Sequence, residues 1–422
     1  VVLRHSMFRR LGTLASVLTL TVGMVLAMGV GASASPSQKA AKASKSPIIV
    51  CQVSAQSGPN TAVGIPDAQG VKAFAKYINS KGGSLGHPWK VSVEDDASDP
   101  STSIAQVRKC ITQVHANFIL GPGETLDFVA SIPVTNAAHI VSITQGAGWQ
   151  SLSPPLTSAQ LHGYAFPGLY DAYQQFDTDA IQELIVPRHY TRVAVIQGSE
   201  QDANTTCPFV KSFAKKDHFK VVACQLVQEN QTDDTPEVLN LLAAKPQIIV
   251  QGIPPGADTV TFIKALRAQD PNIPLAACPL CELPSFPAAV GGISNLKNVY
   301  VVGSVVDLLN SLPDNAANRH TIATIKTYEA GLKAAGYTTP DDVLSDLVGW
   351  QSAALLDNAI TTAKSTSTEA VRKALQHQHF SSAGISWART PSNYAHLASV
   401  QQALLTWGAD GQLHIYNPKT GQ

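Results

Sequence analysis

The sequence has 422 residues, enough for two lobes that each bury a core of their own. Charged residues are scarce at 14%, and 30 basic side chains balance 30 acidic ones. No stretch forms a basic stripe, so the charge pattern argues against a nucleic-acid partner.

The N-terminus has the pattern of a secretory signal. Arg9-Arg10 precede an apolar run, Leu11 to Val30, and small residues then lead to Ala34 in an A-x-A arrangement. We expect translation to start at Met7 and cleavage to follow Ala34, which makes residues 1–34 a signal peptide. The alternative is an uncleaved membrane anchor, because about 20 apolar residues can just span a bilayer.

Residues 35–46 form a polar, low-complexity stretch that predicts a flexible tether. No cysteine follows the apolar run, so the sequence has no lipobox cysteine. Loss of residues 1–34 removes three arginines and no acid, which leaves a mildly acidic chain. We therefore expect an exported protein, periplasmic or extracellular and associated with the cell envelope.

Apolar runs rich in Val and Ile recur along the chain, with helical patterns between them. The runs predict strands at Ile48–Val53, Trp89–Glu94, Asn117–Leu120, His139–Thr144, Arg192–Gln197, Lys220–Val227, Gln247–Gln251, Pro274–Cys278 and Val299–Val305. Helices are predicted at Val71–Asn79, Ser101–His115, Thr259–Ala268, Ile322–Ala335 and Val343–Ala363, and short strands at Leu404–Thr406 and His414–Tyr416. This alternation predicts an α/β fold whose parallel sheets carry helices on both faces.

One arrangement of elements occurs twice. Residues 98–132 and 233–266 each contain, in order, an acid with a Pro, a helix, a buried strand, a Gly/Pro loop and a second helix. The repeat predicts two similar αβ lobes. The Pro- and Ser-rich stretch Pro154–Gly163 predicts a connector between them.

Six cysteines follow the signal, and export places them in an oxidising compartment where disulfides form. Several pairings are open to six cysteines. We expect neighbours within one strand-and-helix unit to pair, namely Cys51 with Cys110, Cys207 with Cys224, and Cys278 with Cys281. The last pair has the spacing of a redox motif, but it follows a late strand, so a structural bridge is expected there.

Four carboxylates, Glu94, Asp95, Asp96 and Asp99, precede Pro100 in one short run. A calcium loop would need acids at alternate positions, a central Gly and a distant Glu, and this run has none of that spacing. Asp99 followed by Pro100 suits an N-cap and the first turn of a helix. We interpret the run as a strand end and a helix cap.

The signature motifs of nucleotide-binding proteins, serine hydrolases and zinc proteases are absent from the sequence. His377 and His379 could ligate a metal, but two histidines do not complete a site. We therefore expect no catalytic residue, no metal site and no cofactor.

Ligands of open parallel sheets bind outside the carboxyl ends of the strands, where helix N-termini offer N–H groups. Loops at these ends are rich in hydroxyls, amides and Gly: Ser54–Gly58, Gly121–Thr125, Ser142–Gly146, Gly198–Asp202, Gly252–Gly256 and Cys281–Glu282. Such a set suits a small polar anion or zwitterion. Ordinary turns and caps are the alternative interpretation.

Several features follow one another in a recognisable order: Ser57-Gly58-Pro59, Ile78-Asn79 through Gly82-Gly83, Gly86, Asp95-Asp96 with Asp99-Pro100, Gly121-Pro122, and Pro133 before Ile140–Thr144. This order resembles type I periplasmic binding proteins, in particular the branched-chain amino-acid (Leu/Ile/Val) receptors of ABC importers. The resemblance implies two Rossmann-like lobes joined by a three-strand hinge that close on a ligand. It implies an N-terminal lobe of residues 47–163 and 305–395, and a C-terminal lobe of residues 164–304 and 396–422.

The resemblance also implies ligand-binding positions in the first lobe. Thr125 best matches the hydroxyl that holds the ligand carboxylate in such receptors. Small and hydroxyl residues after the next strand share that task, which corresponds to Ser142, Thr144 and Gly146.

In the second lobe the resemblance points to two acids. Asp202 matches an acidic loop position, and Glu282 is the nearest match to the acid that receives an ammonium group. Val63 replaces an aromatic residue of the first loop, and no cysteine stands at Ser98 or Glu124, where some members have a bridge. Amides, other amino acids and aromatic acids therefore remain open as ligands beside branched-chain amino acids.

The function implied is that of an extracytoplasmic solute-binding protein, not an enzyme. We expect a monomer that binds a small molecule and delivers it to an ABC permease and ATPase complex in the membrane. Two alternatives are a ligand-sensing receptor domain and a thiol-disulfide oxidoreductase that uses Cys278 and Cys281.

Overall fold

Strands and helices alternate along the chain. In this computed structural model the strands are β1 Ile48–Ser54, β2 Trp89–Asp95, β3 Phe118–Leu120, β4 Ser142–Thr144, β5 Ala165–Pro167, β6 Arg192–Gly198, β7 Lys220–Val227, β8 Ile248–Gly252, β9 Leu275–Ala277, β10 Val299–Ser304, β11 His379–Ser382, β12 Ile385–Ala388, β13 Leu397–Val400, β14 Gln402–Trp407 and β15 Leu413–Ile415. The helices are α1 Thr61–Ser80, α2 Pro100–Thr112, α3 Thr125–Ala137, α4 Ala172–Asp179, α5 Thr206–Ala214, α6 Thr235–Ala243, α7 Ala257–Gln269, α8 Phe286–Ala289, α9 Arg319–Ala335, α10 Val343–Ala363 and α11 Thr368–Gln376, with a π-helical turn at Ala180–Ile185 and a 3-10 turn at Ile293–Leu296. The structure describes residues 45–145, 161, 163–168, 172–199, 204–228, 230–253, 256–277, 281–282, 285–304, 312, 314–316, 318–337, 343–382, 384–393, 397–400 and 402–421.

Two large sheets share one topology. The first is parallel throughout, in the order β2-β1-β3-β4-β5. The second has the order β15-β14-β10-β9-β8-β6-β7, parallel from β7 to β10 and antiparallel at the edge formed by β14 and β15. A small antiparallel sheet, β11-β12-β13, completes the set. The α/β class with parallel central sheets is therefore confirmed.

The first strand of each large sheet is internal. In the first sheet β1 lies between β2 and β3, and in the second β6 lies between β7 and β8. The chain thus winds first to one side and then to the other, which creates a topological switch point at the carboxyl ends of these strands. A loop there has a helix N-terminus next to it, so this edge of each sheet is the place to look for a ligand site.

Helix α2 begins as its sequence predicts. Asp99 is its N-cap, and Pro100, which lacks an N–H group, is its first residue. An Asp99 side-chain oxygen accepts hydrogen bonds from the Thr102 N–H at 2.7 Å and from the Ser101 hydroxyl at 2.5 Å. Asp99 satisfies an N–H group that the helix leaves without a partner, so the helix-cap interpretation is confirmed.

The neighbouring acids are also occupied by structural contacts. Asp95, at the end of β2, accepts hydrogen bonds from the N–H of Gln56 at 2.9 Å and from the hydroxyl of Ser57 at 2.7 Å. Glu94 pairs with Lys109 of α2 at 2.5 Å. The run therefore ties the end of β2 to the loop after β1 and to α2.

Helix α10 belongs to two hydrophobic cores. Its Trp350 and Leu356 pack in the first core with Phe74 of α1, whose ring lies 5.1 Å from that of Trp350. Its Leu355 packs in another core with Trp387 of β12. Because β1 and β3 supply the first core and β6 and β8 the other, α10 packs against elements of both large sheets.

Helices α1 and α10 touch backbone to backbone at a glycine. A Cβ atom placed on Gly349 would lie 2.0 Å from the carbonyl oxygen of Asp67. Any side chain at position 349 would therefore push the two helices apart.

Two of the three predicted disulfides are present. Cys51 of β1 is bonded to Cys110 of α2, and Cys207 of α5 is bonded to Cys224 of β7. Each bridge joins a strand to a helix of the same sheet layer. Cys278 lies outside the described residues, so its pairing with Cys281 stays a prediction.

The structure differs from the predicted elements at α1, at β5 and in the small sheet β11-β12-β13, which was not predicted. Helix α1 begins at Thr61 rather than near Val71 and contains Pro66, whose missing N–H costs one hydrogen bond of a long helix. Strand β5, Ala165–Pro167, was not predicted, because three residues ending in Pro form no recognisable strand pattern. It joins the first sheet beside β4.

Some predictions fall outside the described residues. Residues 1–44, which hold the predicted signal peptide and most of the tether, are among them, as is most of the connector Pro154–Gly163. The bounds of the two lobes and the three-strand hinge stay predictions. Among the described helices, none has an apolar stretch long enough to cross a bilayer.

Candidate functional site

The loop after β3 closes over the end of β1 at the switch point of the first sheet. Gly121 has a φ of +95°, and a Cβ atom there would lie 2.1 Å from the carbonyl oxygen of Val53. Only glycine fits this position. A Cβ atom on Gly123 would lie 3.5 Å from that of Ser54, so the loops after β1 and β3 are in close contact. The Gly121–Pro122 peptide bond in the loop after β3 is cis.

Two predicted ligand residues hold this loop from the neighbouring strand β4. The hydroxyl of Ser142 donates to the carbonyl oxygen of Gly121 at 2.6 Å, and that of Thr144 donates to the carbonyl oxygen of Pro122 at 2.9 Å. Both side chains are fully buried. The structure thus brings Ser142 and Thr144 together with the loop and shows them positioning its backbone; a direct contact with a ligand stays a prediction.

Thr125 is the first residue of α3 and is 6% exposed. The first N–H groups of a helix have no acceptor within the helix, and they lie at the positive end of its dipole. The start of α3 therefore presents N–H donors beside the Gly121–Pro122 loop. This arrangement suits a carboxylate or another small anion.

A pair of buried glutamines underlies the same edge and was not among the predicted site residues. Gln52 lies inside β1 and Gln145 follows β4; their side chains are 0% and 4% exposed. The Gln52 amide donates to the Gln145 side-chain oxygen at 2.8 Å. The sequence signal for this pair is the lone amide within the apolar run IIVCQVS of β1. A buried polar side chain needs a hydrogen-bond partner, so this amide predicts a second polar group beside it.

Two buried carboxyl groups lie near the start of α3. Burial, together with the charges of Asp96 and Asp99, raises the pKa of Asp127, in the first turn of α3, to about 7. Burial also raises the pKa of Asp96, at the end of β2, to about 6. Asp127 is 2% and Asp96 0% exposed. These groups hold protons far more readily than exposed acids, and the sequence pattern did not distinguish them from the structural acids around them.

In the second sheet, Glu282 follows β9 and is 4% exposed. The Trp407 indole N–H donates to the carbonyl oxygen of the preceding residue, Cys281, at 2.9 Å, which fixes this segment against β14. The remaining predicted contacts, Gly146 and Asp202, lie outside the described residues. The structure thus groups Thr125, Ser142 and Thr144 at one edge of the first sheet and places Glu282 in the second.

A separate concavity of about 470 Å³ lies between α1 and α9. Three lysines, Lys76, Lys81 and Lys326, line it together with Tyr77, and it contains none of the predicted site residues. No group of three or more His, Cys, Asp or Glu side chains within the described part of the chain could hold a metal ion.

Solved structures show the same fold over nearly the whole chain. An extracellular ligand-binding receptor from Rhodopseudomonas palustris HaA2 superimposes with a TM-score of 0.76 at 19% identity, covering 88% of this chain and 100% of that one. An ABC transporter substrate-binding protein from Sphaerobacter thermophilus gives a TM-score of 0.72 at 16% identity, covering 87% and 96%. A solute-binding protein of an ABC transporter from R. palustris, in complex with 4-hydroxybenzoate, gives 0.71 at 17% identity, covering 88% and 96%.

No curated protein matches the sequence. A family model described as periplasmic binding protein, however, matches residues 47–412. This range contains every described strand of the first sheet and every described strand of the second except β15. The family is a class of solute-binding proteins, which agrees with a helix N-terminus and a glycine loop at the switch point. The chain belongs to the periplasmic binding protein family.

Proposed function

We propose that the protein binds a small polar metabolite, a branched-chain amino acid or a related small acid, in a cleft between two lobes and delivers it to an ABC permease. The observation that supports this most is the switch-point edge of the first sheet. There the Gly121–Pro122 loop, held by Ser142 and Thr144, lies beside the N–H groups at the start of α3. A rigid set of donors of this kind suits a carboxylate.

In this proposal Thr125 and Gly146 receive the carboxylate end of the ligand, Ser142 and Thr144 hold the loop beside it, and Asp202 and Glu282 of the other lobe face its opposite end. Residues 47–163 and 305–395 form one lobe, and residues 164–304 and 396–422 form the other. Ligand binding selects the closed arrangement that the permease recognises. The relative that holds 4-hydroxybenzoate supports the inclusion of aromatic acids among the candidate ligands.

A panel of amino acids, their amides and small aromatic and aliphatic acids, screened by thermal shift, tests the proposal. At least one compound should raise the melting temperature, and the rise should grow with the logarithm of its concentration over Kd, because it binds only the folded state. Thr125→Ala should weaken that compound about 10- to 100-fold in isothermal titration, the effect of a lost hydrogen bond to a charged group.

Thr368→Ala is the matched control. Thr368 is also the first residue of a helix, α11, and its hydroxyl donates to the Asn117 carbonyl oxygen at 3.5 Å. The Thr368→Ala variant should bind the compound with the affinity of the wild type. Unchanged affinity in Thr125→Ala would refute the site, and uptake of the bound compound that persists in cells lacking the gene would refute delivery and favour sensing.

A further inference from the structure

Arg389, the residue after β12, is buried to an unusual degree for a cation. It is 1% exposed and is the largest fully buried side chain in the described part of the chain. Burying an unpaired charge is costly, and arginine is almost never fully buried unless it is paired.

The contacts of Arg389 satisfy only part of its hydrogen-bonding capacity. Its Nη2 donates to the carbonyl oxygen of Pro167 at 2.5 Å. The guanidinium carbon lies 4.5 Å from the ring centre of Trp387 and 5.8 Å from that of Phe166. Its Nε and Nη1 are buried without an acceptor, and no carboxylate within the described residues forms an ion pair with it.

A second donor in the same place also lacks a partner. The indole nitrogen of Trp387, two residues earlier on β12, is buried with no hydrogen-bond acceptor among the described residues. Burial lowers the pKa of the Arg389 guanidinium to about 9, which reflects the cost of a charge without a counter-ion. The group therefore has an excess of N–H donors and of positive charge, and an anion would balance both.

The guanidinium keeps the donors for a two-point contact. Nη2 carries two N–H groups, one beside the Nε–H and one beside Nη1, and Pro167 takes one of them. Whichever it takes, one fork of two parallel N–H groups remains complete. Such a fork matches the two oxygens of a carboxylate.

Arg389 also lies at the edge of the first sheet where the candidate site is. Pro167 ends β5 and pairs in register with Thr144 at the end of β4. Thr144 in turn donates to the loop at Pro122. The carbonyl that receives Arg389 is therefore one strand away from the predicted ligand contacts, on the same carboxyl edge.

We propose that Arg389 binds a carboxylate of the ligand through its free guanidinium fork, which makes a small carboxylic acid, rather than its amide, the ligand class of this protein. This inference rests on the proposed function and sharpens it. The rings of Trp387 and Phe166 hold the guanidinium plane in place, so little rotational freedom is lost on binding.

Isothermal titration with matched acid and amide pairs tests the inference: leucine with leucinamide, and 4-hydroxybenzoate with 4-hydroxybenzamide. In the wild type the acid should bind at least about 100-fold more tightly than its amide. Arg389→Met should lose about 100-fold in affinity for the acid and little for the amide, so that the preference disappears. Arg389→Lys keeps the charge without the fork, so its preference for the acid should lie between those of the wild type and Arg389→Met.

Arg267 supplies the control. It is also buried, at 6% exposure, but each of its three side-chain nitrogens donates to a backbone carbonyl oxygen. Arg267→Lys should change stability and leave the preference for acid over amide intact. If the Arg389 variants fail to fold, the wild-type comparison still decides, together with the ¹⁵Nε resonance of Arg389, which should shift with the acid and not with the amide.

The outcomes separate the two proposals. If the wild type binds no compound of the panel, the proposed function and this inference are both wrong. If it binds acid and amide equally, or if Arg389→Met keeps the preference, the assignment of Arg389 alone is wrong.

Discussion

The proton on Asp127 links the stability of the protein to pH. Its pKa rises from the ordinary 3.8 to about 7 in the folded chain, and burial is the main cause. Between these values the unfolded chain loses this proton and the folded chain keeps it. The unfolded state therefore binds fewer protons, and stability falls as pH rises through this window.

Asp127→Asn should remove this dependence. Asparagine resembles the protonated acid, so the variant should match the wild type near pH 4 and exceed it near pH 8 by on the order of 1–3 kcal/mol. Urea unfolding at both pH values measures the difference. Asp314→Asn is the control, because Asp314 is 80% exposed, and it should give the same small change at both values. A pH-independent gain for Asp127→Asn would contradict the assignment.

At the scale of single residues, the sequence predicts what depends on near neighbours. The cap at Asp99 followed from the adjacent Pro100 and from the helical pattern after it, and the structure confirms it. The burial of Asp127 and Arg389 depends on segments far away in the chain. Arg389 stands in a polar stretch, SWARTPSN, that suggests an exposed loop, and only the packing of Trp387 and Phe166 around it reveals the buried charge.

At the scale of elements, the contact between α1 and α10 depends on Gly349. Gly349→Ala should destabilise the protein by about 1–3 kcal/mol, because a Cβ atom would meet backbone atoms of Asp67 that no rotamer change can move aside. This loss outweighs the helix propensity that alanine gains, about 1 kcal/mol. Thermal unfolding followed by circular dichroism measures it.

Thr362→Ala provides the comparison for Gly349→Ala. Thr362 lies on the exposed side of the same helix, so its replacement should change stability by no more than about 0.5 kcal/mol. If the thermal unfolding midpoint of Gly349→Ala equals or exceeds that of the wild type, α1 and α10 can move apart without loss of stability.

Elements with strong periodicity were predictable, whereas the first part of α1 and strand β5 were not. The apolar pattern predicted β7 and α10 with the bounds that the structure shows. The Pro at position 66 hid the first part of α1, because Pro inside a helix is unfavourable and the pattern before it is weak. Strand β5 has three residues, and it exists only because β4 offers it a pairing edge.

At the scale of the whole molecule, each large sheet has its own disulfide. The cysteines of the first bridge are 59 residues apart in sequence and those of the second 17. Loop-closure entropy grows with the logarithm of that separation, so the longer loop should contribute about 1 kcal/mol more to stability.

The double variants Cys51→Ala/Cys110→Ala and Cys207→Ala/Cys224→Ala should each lose about 2–4 kcal/mol, the first more than the second. Because the bridges lie in different sheets, the losses should add in the variant that lacks both. Urea unfolding under non-reducing conditions measures all three. A larger loss for the second bridge would show that strain, rather than chain entropy, decides their contributions.

The sequence predicted the architecture better than the site. The repeat of helix, strand and helix predicted two similar αβ halves, and both occur, as α2-β3-α3 and α6-β8-α7. For the site, the loops at strand ends indicated the carboxyl edge of the first sheet, where the structure groups Thr125, Ser142 and Thr144. They did not reveal that Ser142 and Thr144 donate their hydroxyl hydrogens to the loop backbone, because that depends on the strand register.

Helix α10 packs in two hydrophobic cores but is made late in synthesis, which limits when those cores can form. The first core joins Val50 and Phe74, made early, to Trp350 and Leu356, made late. During synthesis the early strands have no cover for these apolar side chains until the segment after Val343 has emerged. The first core can therefore close only after the segment beyond Val343 has been made, late in synthesis, whereas most of the core of the second sheet is made before it.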